Sequence, residues 1–121
     1  MRRRDLLGPW GEALACEYLR GRGCRIVACN YRSRFGEIDV IAEDRKFLIF
    51  AEVKLRKSAE YGAAREFVDA RKQQRLRQTA LHWLDGHDTR LQPRFDVIEI
   101  YGDADTPRRQ RRINQIENAF E

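Results

Sequence analysis

The chain has 121 residues, enough for one domain to bury its own core without a disulfide framework or a structural metal. A hydrophobic fraction of 42% beside a charged fraction of 36% excludes a chain that is disordered throughout. Lys plus Arg number 24 against 19 Asp plus Glu, a net charge of +5, and most of the basic residues are Arg. The planar donors of Arg suit phosphate, which puts nucleic acid first among partner classes.

Cys16, Cys24 and Cys29 are an odd number with no CxxC pair, and the histidines are His82 and His87 alone. That argues against a zinc site or a disulfide framework, and the expectation is free thiols packed as small apolar groups in a reducing cytosol. The start, Met-Arg-Arg-Arg-Asp, is basic, but no apolar stretch of signal-peptide length precedes Glu12 and Glu17. No segment approaches the length of a membrane span, so the expectation is a cytoplasmic protein with no membrane partner.

In chain order, the first element is a helix from Leu6 to Leu19. Leu7, Gly11, Ala15 and Leu19 share one row with Trp10, Leu14 and Tyr18 beside it, Pro9 fits the first turn, and Gly21 with Gly23 ends the pattern. Arg25 to Asn30 reads as a short strand. Gly36 opens the run Glu37-Ile38-Asp39-Val40-Ile41-Ala42, four polar residues make a turn, and Phe47 to Leu55 is a second β-like run. The two runs predict an antiparallel hairpin. A polar connection through Tyr61 and Gly62 leads to a long helix in which Val68, Leu76, Ala80 and Leu84 share a row and which Gly86 stops. After Pro93, Phe95, Val97, Ile98 and Ile100 predict a last strand ending near Gly102. From about residue 103 a polar, basic tail is expected, with the cluster Arg108, Arg109, Arg111 and Arg112 mobile and Ile113, Ile116 and Phe120 docking back. The whole chain, 1–121, is expected to be one α/β domain of order helix-strand-strand-strand-helix-strand, a mixed sheet flanked by helices.

The hairpin carries the chemistry. Glu52 and Lys54, two apart on a strand, face the same way. A turn centred on Asp44 and Arg45 pairs Asp39 with Phe50, which puts Asp39 on that same face, diagonal to Glu52 at a Cβ separation of roughly 7 Å. One hard cation can bridge two such carboxylates, and magnesium needs only one or two, filling its other positions with water and substrate phosphate. Lys54 would then stabilise charge on the phosphate or orient the attacking water. An ion-pair lattice on a solvated hairpin face is the plainer alternative for the same three residues.

Other charged residues divide in the same way. Glu37 shares the face of Asp39 and reads as a charged neighbour of the site. Lys72 interrupts the apolar row of its helix, so its head group must reach outward or find an anion, protein or phosphate. Arg32, Arg34 and Arg56 border the hairpin and are candidates to position a nucleic-acid backbone.

The order of elements resembles the core of the restriction-endonuclease-like PD-(D/E)xK superfamily, and the residues resemble its YraN branch. The likeness runs through Gly11-Glu12, Tyr18-Leu19, Gly23, Asn30 with Arg32, Gly36 to Ile41, and Phe50-Ala51-Glu52-Val53-Lys54 with Arg56. It continues through Gly62, Val68, Lys72, Ala80 and Arg94-Phe95-Asp96, and ends at Asn118-Ala119-Phe120. Ile38 stands where the superfamily pattern has proline. Carried over, the resemblance implies a catalytic set of Asp39, Glu52 and Lys54. Asp39, Glu52 and the Val53 carbonyl would be metal ligands, and Glu12 matches a helix-borne acid of related junction-resolving nucleases. It implies a Mg2+-dependent nuclease, with Mn2+ as a substitute, acting on structured DNA ahead of RNA, and it leaves a homodimer open. The alternative is a non-catalytic nucleic-acid-binding or complex-forming module that keeps the fold.

Overall fold

The computed structural model describes residues 3–56, 69–102, 105–107 and 111–120. Its elements in chain order are helix α1 (Arg3–Gly21), strands β1 (Arg25–Ser33), β2 (Gly36–Glu43) and β3 (Phe47–Arg56), helix α2 (Ala70–Asp85), and strands β4 (Gln92–Tyr101) and β5 (Arg112–Phe120). The strands form one mixed sheet in the order β1-β2-β3-β4-β5. Among the described strands only β3 and β4 pair in parallel, and α2 lies in the connection between them. This is the expected α/β restriction-endonuclease-like order with one strand added.

The two helices cover opposite faces. Ala15, Cys16 and Leu19 of α1 pack with Val40, Ala42, Ile49, Ala51, Ile98 and Ile100. Leu76, Ala80 and Trp83 of α2 pack with Ile38, Ile41, Leu48, Phe50, Val97 and Phe120. Alternation along β3 and β4 explains the split, because the central strands are apolar on both sides. At Gly11 α1 lies close against the sheet, where a Cβ would come within 2.9 Å of Leu55 Cδ2. Gly36, at φ 152°, does the same for α2: a Cβ there would meet Thr79 Oγ1 at 3.2 Å.

α1 begins at Arg3, before the expected Leu6, so Pro9 lies inside the helix and not in its first turn, and three further expectations need correction. The β2–β3 turn centres on Arg45 and Lys46, one residue later than predicted, and the ladder pairs Val40 with Ala51, Ile41 with Phe50 and Glu43 with Leu48. Asp44 sets it: its carboxylate accepts from the N–H groups of Lys46 at 2.8 Å and Phe47 at 2.7 Å, and its own N–H donates to the Phe47 carbonyl. The pairing therefore slips by two residues, an even number, which extrapolates Asp39 to a place opposite Glu52, but the ladder ends at Val40 and Ala51, short of both. Second, the C-terminal segment is not simply a tail. Residues 112–120 form β5, antiparallel to β4, and the Arg111 guanidinium donates to the Thr106 carbonyl and lies over Trp10. Arg108 and Arg109 lie outside the described residues. Third, α2 begins after Asp69, whose carboxylate caps the Lys72 N–H at 2.9 Å. Tyr61, Gly62 and Val68 lie outside the described residues.

β5 is joined to β4 by a buried polar knot. The ladder skips between Phe95 and Val97, and Asn118 opposite the gap takes φ 51°. Asp96, 1% exposed, fills it: its two oxygens accept from the Arg94 guanidinium twice at 2.9 Å, from Gln115 Nε2 at 2.8 Å and from the Asn118 N–H at 3.0 Å. Phe95 and Phe120 stack beside it at 4.8 Å.

Candidate active site

The site forms where the middle of the sheet comes apart. The β2–β3 ladder stops at Val40 and Ala51. Ile38 and Val40, two residues apart, pack on opposite faces, so β2 breaks its alternation at Asp39. Across the other edge of β2, Asn30 stands at φ 53° between the pairs Cys29–Val40 and Tyr31–Ile38. In the gap the Asp39 carboxylate takes the place of a backbone acceptor: its Oδ2 receives the Val53 N–H at 2.8 Å. The N–H and C=O of one strand residue point to the same side, so the Val53 carbonyl faces the same gap.

Asp39 and Glu52 line a groove of about 490 Å³ together with Gly36, Glu37, Asp69, Arg71, Lys72, Arg75 and Leu76. Asp39 is 7% exposed and Glu52 9%. Carboxylate oxygens of Glu12, Glu37 and Asp39 lie within 4.8 Å of one another, and Asn30 Nδ2 holds Glu12 Oε2 at 2.5 Å. Glu52 instead meets cations: Lys72 Nζ at 2.6 Å and Lys54 Nζ at 3.5 Å, both on Oε1. Of the two outcomes expected for Lys72, reaching outward or meeting an anion, the second is seen, and the anion is the Glu52 carboxylate.

These neighbours set the protonation chemistry. Burial, then the charge of Glu52, pushes the Asp39 carboxyl up to about 7; the Val53 N–H opposes this, while Glu12 and Glu37 add to it. Burial, then the hydrogen bond and charge of Lys72, pulls the Lys54 ammonium below the usual lysine range against the attraction of Glu52. For Lys72, burial is outweighed by its hydrogen bonds to Glu52 and Lys54 and by the Glu52 charge, and its pKa is raised.

The Asp39 shift has a stability consequence. A carboxyl whose folded pKa of about 7 exceeds its ordinary 3.8 favours folding below the lower value and loses that contribution as pH rises through the higher one. Chelator-treated protein is therefore expected to lose stability from about pH 4 to 7 through this group. Asp39→Asn, neutral throughout, should remove that part of the slope and be more stable than wild type at pH 8 by on the order of 2 kcal/mol. Denaturant titrations at several pH values check this, and parallel curves for the two proteins would refute the burial argument.

Of the remaining sequence candidates, Arg32 is exposed and pairs with Glu37 at 3.5 Å. Arg34 lies over the Phe35 ring at 4.9 Å. Arg56 is turned inward, 14% exposed, with its Nε 3.6 Å from the buried Glu99 carboxylate. Sequence reasoning missed Arg71, Arg75 and Asp69 on the groove wall. The i, i+4 spacing of Arg71 and Arg75 around Lys72 was the available signal.

The five-stranded mixed sheet, parted around Asp39 and Glu52 with Lys54 two residues further along the strand, belongs to the class of α/β folds of restriction-endonuclease-like order. Residues 11–100 match the model of the uncharacterised protein family UPF0102, and the chain belongs to that family, the YraN type expected from sequence. It is 42% identical to a UPF0102 protein of Pelotomaculum thermopropionicum over 118 residues, 97% of each chain. Similar relatives occur in Paenarthrobacter aurescens, 46% identical over 83% of this chain and 84% of the relative, and in Thermodesulfovibrio yellowstonii, 40% identical over 94% and 95%. No helix among the described residues is long and apolar enough to cross a membrane.

Proposed function

We propose that the protein is a Mg2+-dependent nuclease, with Mn2+ as a substitute ion, that hydrolyses phosphodiester bonds in structured nucleic acid, DNA ahead of RNA. The observation that carries this reading is the meeting of buried Asp39 and Glu52 in one groove whose wall bears Arg71, Lys72 and Arg75. Mg2+ fits the donors present. All are oxygens, and the raised Asp39 pKa marks a concentration of negative charge that a cation would relieve. Asp39, Glu52 and the Val53 carbonyl, with Glu12, would hold the ion; when bound it supplies Lewis-acid stabilisation of charge building on the phosphate.

The remaining work belongs to the chain's own groups. Arg71 and Arg75 give the groove positive charge to receive a phosphodiester, and the exposed Arg32 and Arg34 extend it along the β1–β2 turn. Lys72 fixes the Glu52 carboxylate. Lys54, with a lowered pKa and its Nζ beside Glu52, is suited to orient the attacking water and to release and regain a proton at Nζ more readily than an ordinary lysine.

Purified protein with Mg2+ or Mn2+ should cut at least one of supercoiled plasmid, single strands, flaps and four-way junctions, and Asp39→Ala should not. Failure on all of them, with no metal binding by calorimetry, leaves the non-catalytic module. Binding of an uncleaved DNA duplex should weaken steeply with added salt, because arginine contacts act by releasing phosphate counterions. Fluorescence anisotropy at several ionic strengths measures it, and salt-indifferent binding would point to another partner.

A further inference from the structure

Cys16 of α1 and Cys29 of edge strand β1 bring their sulfurs to 3.4 Å, although 13 residues separate them in the chain. Cys16 is buried and Cys29 is exposed. A disulfide has its sulfurs roughly 2 Å apart, so closing this one requires a movement of little more than about 1 Å. The same two elements are already tied beside the pair, since Asn30, next to Cys29, holds Glu12, one helical turn before Cys16. Cys24, the third free thiol, is half-buried and follows α1.

We propose that Cys16 and Cys29 are a redox-responsive thiol pair, which a peroxide converts into a disulfide that pins α1 to β1. Cys29, open to solvent, attacks one peroxide oxygen. Its sulfur becomes a sulfenic acid, the O–O bond breaks, and the other oxygen leaves as water or alcohol carrying the thiol proton. The Cys16 sulfur then displaces the sulfenic oxygen, which leaves as water with the Cys16 proton, so that two electrons in all pass from the two sulfurs to the peroxide. Burial, followed by the hydrogen bond and charge of Cys29, pushes the Cys16 thiol up to about 12. Cys16 must therefore give up its proton to the departing oxygen as it attacks, and the 3.4 Å approach of the two sulfurs, not thiol acidity, favours the link. The inference does not depend on the nuclease reading.

Reduced full-length protein is treated with equimolar hydrogen peroxide, alkylated, digested and mapped by mass spectrometry. The expected product is one Cys16–Cys29 cross-linked peptide, lighter than the two thiols by the mass of two hydrogens and reversed by dithiothreitol, with Cys24 alkylated. Cys24→Ser should give the same link. Cys16→Ala should leave Cys29 as a sulfenic acid captured by dimedone, and Cys29→Ser should give neither product. In urea the preference for Cys16–Cys29 over links through Cys24 should vanish. The proposal is overturned if folded wild type keeps both thiols alkylatable, holds Cys29 as sulfenic acid without a link, or links through Cys24 as often as through Cys16.

Discussion

Glu52→Ala is expected to reduce Mg2+-dependent cleavage on the order of a thousandfold, the loss that follows when several kcal/mol of charge stabilisation are removed from a phosphoryl-transfer site. The substitution does more than delete a ligand. It frees Lys72 and Lys54, which now share Glu52 Oε1, and it relieves the buried Asp39 of the like charge that most raises its pKa after burial. The fold should therefore survive, and nucleic-acid affinity, measured in the same anisotropy assay, should be kept or raised by the two freed ammonium groups. Lys54→Ala should also lose cleavage yet still bind metal, because an ammonium is no ligand. Calorimetry with Mn2+, thermal melting and cleavage assays on one preparation separate these effects. Equal cleavage by wild type and both variants would assign the activity to a contaminant.

Asp96→Ala is expected to cost about 3–5 kcal/mol in stability, the range for breaking a buried ion pair from one side. Arg94, 10% exposed, would keep its charge with the more distant carboxylates of Glu117, at 3.8 Å, and Asp44 to offset it. Gln115 and the Asn118 N–H would lose their acceptor as well. The double variant Arg94→Met, Asp96→Leu should be destabilised less than Asp96→Ala, since it leaves no uncompensated charge. Denaturant unfolding measures both, and an Asp96→Ala cost below about 1 kcal/mol would mean that the knot does not hold β5 in place.

Much of this arrangement was legible in the sequence, and the reasons differ by element. Strand alternation predicts Asp39, Glu52 and Lys54 on one face, and a slip of two residues leaves the direction of Glu52 and Lys54 unchanged. Asp39, however, sits where β2 breaks its alternation, so its place in the groove comes from that irregularity and not from the register. The turn itself was misplaced because hydrophobic pattern does not say which polar residue will cap it; that depended on the Asp44 side chain. β5 was read as a tail because Arg112, Asn114, Gln115, Glu117 and Asn118 dilute its apolar residues. An edge strand interrupted to receive Asp96 has no clean period to recognise. Arg94-Phe95-Asp96 and Asn118-Ala119-Phe120 each stood out as part of a resemblance, but only the folded sheet shows that they meet. The resemblance, not the pattern of residues, pointed to Glu12 beside Asp39; that Glu37 joins them shows only once α1 and β2 converge.

The parallel junction at the centre of the sheet also bears on how the molecule assembles. Phe47 pairs with Gln92, about 45 residues further on, whereas β1, β2 and β3 are joined by tight turns. Closing so long a loop costs entropy that is repaid only once the pair has formed, so contact order favours forming the β1–β3 meander before β4 docks. In that order Asp39 and Glu52 come together on the nascent sheet before α2 delivers Lys72. The acids then spend the earliest stage of folding without their principal counter-charge, and acidic solution or a divalent cation should speed that stage by quieting their repulsion.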